Sequence, residues 1–199
     1  AEYGLAAQKI YDFIWSEFCD WYIELAKGGL LGEDAQRKAA VRAVLQTVLS
    51  GMLRLLHPFM PFLTEEVYKH LPGQEDASCM LAAWPRALDA YDFPAQSQQM
   101  EGVMDMIRSI RNIRSGMNVQ PSHKAHLMVR PNAGWAEAIQ GAEVYFSRMA
   151  SVSALSLLGE DEQVEGKTVS AVCVAGEYFI PLGDLVDIDK EKARLNKER

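Results

Sequence analysis

Apolar side chains recur at intervals of three and four from about Leu5 to Lys27, with Ile10, Phe13, Ile14, Phe18, Trp21 and Leu25 in register. That period predicts one face of an α-helix. A second apolar strip, Trp15, Cys19, Tyr22 and Ile23, widens the face enough for the helix to touch neighbours on two sides, and Asp12, Ser16, Asp20, Glu24 and Lys27 form the polar stripe that remains. Gly28-Gly29 is the expected helix end. The next period runs from Asp34, a candidate N-cap, to Leu56 on Val41, Val44, Leu45, Val48, Leu49, Met52, Leu55 and Leu56. His57-Pro58 should stop it, and Pro61 should open a short third helix to Leu71. Residues 74–94 carry no period, and a fourth helix is expected from about Ser97 to Ser115 on Met100, Val103, Ile107, Ile110 and Ile113.

After Pro121 the pattern changes. Ala125 to Arg130 and Val152 to Leu158 read as strands flanking a helix from Gly134 to Met149, and Val169 to Val174 with Glu177 to Leu182 read as a hairpin. Leu185, Ile188 and Leu195 fall at heptad positions with Lys192 among them, which predicts the start of a coiled coil. The expected fold is therefore mainly α: an antiparallel helical bundle over 1–120, a small α/β appendage over 121–184, and the start of a coiled coil over 185–199.

Composition narrows the function classes. The chain has 199 residues, 49% of them apolar, enough for a packed core. Arg42, Gln46 and Arg54 interrupt the longest apolar helix, so no bilayer crossing is expected. The chain opens at Ala1 without a basic leader and reads as an internal piece of a longer protein. Cys19, Cys79 and Cys173 are odd in number and far apart, which fits a reducing, cytoplasmic setting. With 20 basic and 27 acidic residues the net charge is −7, the wrong sign for general phosphate binding, so any role with nucleic acid must come from local groups.

Candidate chemistry is sparse. There is no glycine-rich phosphate loop, nucleophile elbow or His-Glu-x-x-His pair. His123 and His126, two residues apart, would be the seed of a small metalloenzyme, but they lack the paired ligands that a sequence-level metal site needs. His57, before a proline at a helix end, reads as a cap for carbonyls. Arg108, Arg111 and Arg114 sit three apart on the fourth helix with Lys124 just beyond, and either RNA phosphates or neighbouring carboxylates would satisfy them.

The ordered segments DFIWSEFCDWYIELAK, MLRLLHPFMPFLTEEVY, AAWP and IRSIRNIRSGMNVQP resemble the anticodon-binding region of class I aminoacyl-tRNA synthetases for branched aliphatic amino acids, over essentially the whole chain. The ending, DLVDIDKEKARLNKE without cysteines, is similar to the valine-type coiled-coil arm rather than to the cysteine-rich zinc end of the isoleucine type, although Lys192 sits where an apolar heptad residue would be expected. The resemblance implies a monomeric, non-catalytic module that docks the anticodon loop of valine tRNA. It implies no cofactor in this segment, since the family's nucleotide-binding signatures are absent and ATP and Mg belong to a catalytic domain elsewhere. Valine anticodons end in adenine then cytosine, whose Watson–Crick edges present amino donors, so a reader needs acceptors. Asp20 and Glu24 offer them beside Ile23 and Tyr22 as packing surfaces, with Lys27 in reach of a phosphate. By the same resemblance Ile23 and Glu24 lie in the segment that meets the anticodon. A helical protein-interaction domain, or the equivalent region of an isoleucine- or leucine-specific relative, are the alternatives.

Overall fold

In a computed structural model, residues 2–74, 78–87 and 89–185 are described. The expected coiled coil lies almost wholly outside them. The chain divides into two compact units, Ala1–Asp92 and Phe93–Arg199.

The first unit is helical. Its opening run is not one α-helix but three pieces: α1 (Tyr3–Asp12), a π-helical segment (Phe13–Tyr22) and α2 (Ile23–Leu31). At the end of the π segment the Ile23 N–H reaches back five residues to the Phe18 carbonyl. Rotation per residue falls from about 100° in an α-helix to roughly 80° in such a segment, so ten residues turn α2 by about half a circle from the face an unbroken α-helix would give it. Phe18 and Tyr22 stack along the run with centroids 6.0 Å apart, and Tyr11 and Trp15 meet at 6.3 Å.

Gly28 and Gly29, expected to end the helix, lie inside it, and the helix ends at Leu31 with Gly32 extended. Close packing is the reason for glycine at position 29. A Cβ there would stand 2.7 Å from Val41 Cγ2, so the residue sets the approach of α2 to the helix that follows.

The second long helix, α3 (Ala35–Leu56), starts at the expected cap: Asp34 Oδ1 accepts from the N–H groups of Gln36 at 2.9 Å and Arg37 at 3.0 Å. At 22 residues α3 is long and apolar enough, by length and composition, to span a bilayer, despite the interrupting polar residues. Two of those residues hold loops. Gln46 Nε2 donates to Pro72 O at 2.7 Å and Arg54 Nη1 to Ala83 O at 2.9 Å.

The third helix, α4 (Pro61–Lys69), has proline in its first turn, where no amide hydrogen is needed. Thr64 is fully buried at its centre. The Thr64 hydroxyl lies 2.9 Å from Met60 O and 3.2 Å from Pro61 O, and the His57 ring reaches the same oxygen at 2.7 Å. A hydroxyl has one proton, which goes to a carbonyl, so His57 Nδ1 donates to Thr64 and Nε2 is left as a buried acceptor with no partner among the described residues. The core here is small: Leu53, Tyr68, Leu71 and Cys79, backed by Leu49, Val67 and Ala82.

The second unit corrects the fold expectation. A mainly α bundle with a small appendage is replaced by a helical unit and a mixed α/β unit. The latter is centred on a four-stranded sheet in the order β2-β1-β4-β3, with β1 (Ala125–Pro131), β2 (Val152–Leu157), β3 (Thr168–Cys173) and β4 (Gly176–Pro181). The fourth helix, α5 (Pro94–Gly116), packs with this sheet, burying Val103, Met106, Ile107 and Ile110. The expected period holds along it, but a period shows that a face is apolar and not what covers it.

β1 and β2 run parallel, joined through two short helices, α6 (Ala136–Gly141) and α7 (Glu143–Met149), where one helix was expected. β4 is antiparallel to both β1 and β3. Gly102 lets α5 meet Trp135, whose ring carbons would be 2.4 Å from an added Cβ. Leu127, Val129, Ile139, Phe146, Tyr178 and Ile180 complete a closed core, and Ser109 Oγ meets Tyr178 Oη at 2.7 Å inside it. A four-residue turn of helix, α8 (Leu182–Leu185), comes after the sheet, and Asp184 accepts there from the His126 N–H at 2.9 Å.

Candidate nucleic-acid interface

The site residues expected from sequence fall in both units. In the first, Asp20 lies on the π segment and is exposed, Ile23 is half-buried, and Glu24 and Lys27 are exposed on α2. Asp20 and Glu24 are four apart across the π-to-α junction. Four residues overshoot a full turn in an α-helix and fall short of one in a π-helix, so across the junction the two offsets nearly cancel and both carboxylates stand on one side. Lys27 Nζ pairs with Glu24 Oε1 at 2.5 Å, with both side chains about half exposed. An exposed pair of this kind contributes on the order of 0.3–0.5 kcal/mol, so opening it to admit another donor costs little.

Ile23, half-buried, adjoins Glu24 with apolar surface, whereas half-buried Tyr22, midway round the turn between Asp20 and Glu24, points to the other side of the run. The assembly can therefore offer two anionic acceptors, one cation and the apolar side chain of Ile23 to a base edge. Trp15, read from sequence as part of a strip that meets a neighbour, is exposed on the same helical run, as is Tyr11, whose ring it meets. Nothing in the apolar period distinguishes an exposed aromatic strip from a covered one, which is why sequence reasoning did not single them out as site candidates.

In the second unit the three arginines of α5 do not share a surface. Arg108 and Arg111 are exposed, but Arg114 is buried, at 6% exposure. Its Nη2 donates to Gln120 O at 3.2 Å and His123 O at 2.5 Å, closing the loop after α5. Burial lowers its pKa without removing its charge, since a guanidinium remains protonated at neutral pH. The expected phosphate contact at Arg114 is thus corrected to an internal brace. The reason is the step of about 60° around the helix that each three-residue interval adds, which carries Arg114 off the open face. Lys124, at the end of the braced loop, is exposed, as are Arg108 and Arg111. His126 Nε2 meets Ser156 Oγ at 2.8 Å across the β1–β2 pair.

The family described as the anticodon-binding domain of tRNA ligase matches residues 1–129. This chain belongs to that family. Over nearly its whole length the chain is also similar to valine–tRNA ligases: 44% identical over 198 residues to that of Clostridium perfringens, covering all of this chain, and 46% identical over 199 residues to that of Geobacter sulfurreducens, covering 97%. The protein of Clostridium tetani with the same description is 43% identical over 195 residues, covering 98%. The chain spans 22% of the length of each of these relatives. Along the outer side of the run from the π segment through α2, the chain places Asp20, Glu24 and Lys27 near Ile23.

Proposed function

We propose that this chain is the tRNA-recognition module of a valine–tRNA ligase, and that the side of the π–α2 run bearing Asp20, Glu24 and Lys27 reads the anticodon loop of valine tRNA. Membership of the anticodon-binding family, together with two exposed carboxylates aligned beside Ile23, carries this reading. Adenine and cytosine at the second and third anticodon positions each donate from an exocyclic amine. Asp20 and Glu24 accept, Ile23 packs against a base plane, and Lys27 turns from Glu24 to a phosphate. Arg108, Arg111 and Lys124 supply the remaining backbone contacts, which set position without reading sequence. The module acts as a monomer in the cytoplasm, and valine activation with ATP and Mg takes place in another part of the ligase.

Substituting Glu24→Ala in a full-length ligase carrying this segment tests the reading. Discrimination between valine tRNA and a variant altered at the middle or third anticodon base should fall by about 1–3 kcal/mol, roughly 5- to 150-fold in the ratio of kcat/KM, with activity on a minimal acceptor stem unchanged. Unchanged discrimination in both Glu24→Ala and Asp20→Ala would remove these carboxylates from the reading site.

A further inference from the structure

Tyr11 and Trp15 are 58% and 53% exposed, and their rings meet with centroids 6.3 Å apart at an interplanar angle of 53°. Each ring steadies the other without covering it. In an unbroken α-helix this pair would be unrelated to Asp20, because five steps from Trp15 advance about 500° and leave the two side chains roughly 140° apart. The π segment changes that. At roughly 80° per residue the same five steps come to about 400°, only about 40° past one full turn. Tyr11 to Trp15 spans four residues across the junction of α1 with the π segment and comes close to a full turn, as Asp20 to Glu24 does at the other junction. Tyr11, Trp15, Asp20 and Glu24 therefore form one stripe, turned away from the buried Phe18 and Trp21.

Along the axis the groups follow in a fixed order. At up to about 1.5 Å per residue, Trp15 stands about 6–8 Å before Asp20, and Asp20 about 5–6 Å before Glu24. Stacked bases are roughly 3.4 Å apart, so this spacing suits bases splayed out singly. Valine anticodons share their second and third bases and vary at the first. A site for the first base must hold it without reading its edge, and an aromatic ring does so because every base has a π-face.

We propose that Trp15, steadied by Tyr11, stacks on the first anticodon base of valine tRNA, next to the bases that Asp20 and Glu24 read, and that the π segment is what brings the aromatic and acidic groups onto one face. The inference rests on the reading that this face meets the anticodon loop. It adds a site that holds a base whatever its identity.

Coupling between side chain and base tests it, in a full-length ligase carrying this segment, with valine tRNAs that bear each of the four bases, or none, at the first anticodon position. The parent should bind the four intact tRNAs within about twofold of one another and the abasic tRNA roughly 5- to 150-fold more weakly. Trp15→Ala should bind intact and abasic tRNA alike, and Trp15→Phe should restore most of the difference. Because Trp15 is exposed, neither variant should shift the melting temperature, and both should keep discrimination at the second and third anticodon bases. Failure of the acceptor reading shows elsewhere, as unchanged discrimination in Glu24→Ala and Asp20→Ala. Equal binding of intact and abasic tRNA by the parent overturns the stacking inference, and is the result expected if a protein neighbour covers the pair. An abasic penalty that persists in Trp15→Ala overturns it as well. So does a coupling found only when the base just after the anticodon is removed, which would run the strand along the stripe in the opposite sense.

Discussion

Replacing Arg114 by methionine separates an internal brace from a phosphate contact. The guanidinium makes two hydrogen bonds, to Gln120 O at 3.2 Å and His123 O at 2.5 Å, and bonds from a charged donor contribute about 1.5–3 kcal/mol each. Two corrections reduce the sum. Gln120 and His123 are exposed residues, so water can reach their carbonyls once the arginine is gone. The parent also carries a buried Nη1 with no partner among the described residues, a cost of about 1–3 kcal/mol that methionine removes while keeping the apolar stem. The net loss is about 2 kcal/mol. For a unit of this size each kcal/mol moves the midpoint by roughly 4–8 °C, so Arg114→Met should lower the melting temperature of the second unit by about 8–16 °C. Near-UV circular dichroism during heating measures it, with Arg111→Ala as the control. That exposed substitution should change stability by less than about 0.5 kcal/mol yet reduce the salt slope of tRNA binding by about one unit. If Arg114→Met melts with the parent and instead lowers the salt slope as Arg111→Ala does, the buried brace is wrong and the residue faces phosphate.

The remaining predictions rest on two hydrogen-bonded side chains. Tyr178→Phe removes the buried bond to Ser109 and should cost about 1 kcal/mol at neutral pH. Burial raises the Tyr178 pKa above its ordinary 10.0, against a smaller lowering by Ser109, so its contribution is present below pH 10 and lost as pH rises through the higher folded value; the alkaline unfolding edge should move upward in Tyr178→Phe. At Glu65 the order of forces differs: burial pushes the pKa up, but the Ser78 side chain, the Cys79 and Met80 N–H groups and Lys69 together carry it below 4.5, so its contribution is present above that pH and lost as pH falls through the lower folded value. Acid titration of the first unit should show this loss in the parent and not in Glu65→Gln, and identical acid edges would show that the Glu65–Cys79 contact does not hold the loop.

How far the sequence could be read depends on which physical signal each feature left in it. The N-cap at Asp34, the proline start of α4 and all four strands were legible, because capping chemistry, fixed φ and period-two alternation are local. The π segment was not, since a run of apolar residues at three and four is compatible with α geometry and the widened turn leaves no residue type of its own. Gly29 misled for a definable reason: glycine marks a helix end when φ must turn positive and a helix interior when a neighbour stands too close, and only Val41 in place tells which. The place of α5 was hidden similarly, for its apolar face would serve a bundle or a sheet equally well. Within the candidate site, residue type identified Asp20, Glu24 and Lys27 as a group. It could not separate Arg114 from Arg111, since three-residue spacing carries one of three arginines inward and the sequence does not say which.

The acid excess that first argues against RNA binding fits this division of surfaces. Reading an amino edge takes an anionic acceptor held at the site before the base arrives, and a carboxylate fixed on a helix meets that need at little entropic cost. Each carboxylate also repels the phosphates on either side, so nearby cations must offset it. Lys27, already 2.5 Å from Glu24, is placed to do so for the neighbouring carboxylate. A chain with net charge −7 gains little from counterion release overall, which leaves nonspecific affinity low and makes the difference between right and wrong anticodons a large share of whatever binding there is. If Asp20 and Glu24 read the anticodon as proposed, selectivity comes from the same carboxylates that weaken general attraction to RNA, and a reader with a basic surface in their place would hold every tRNA more tightly while telling them apart less well.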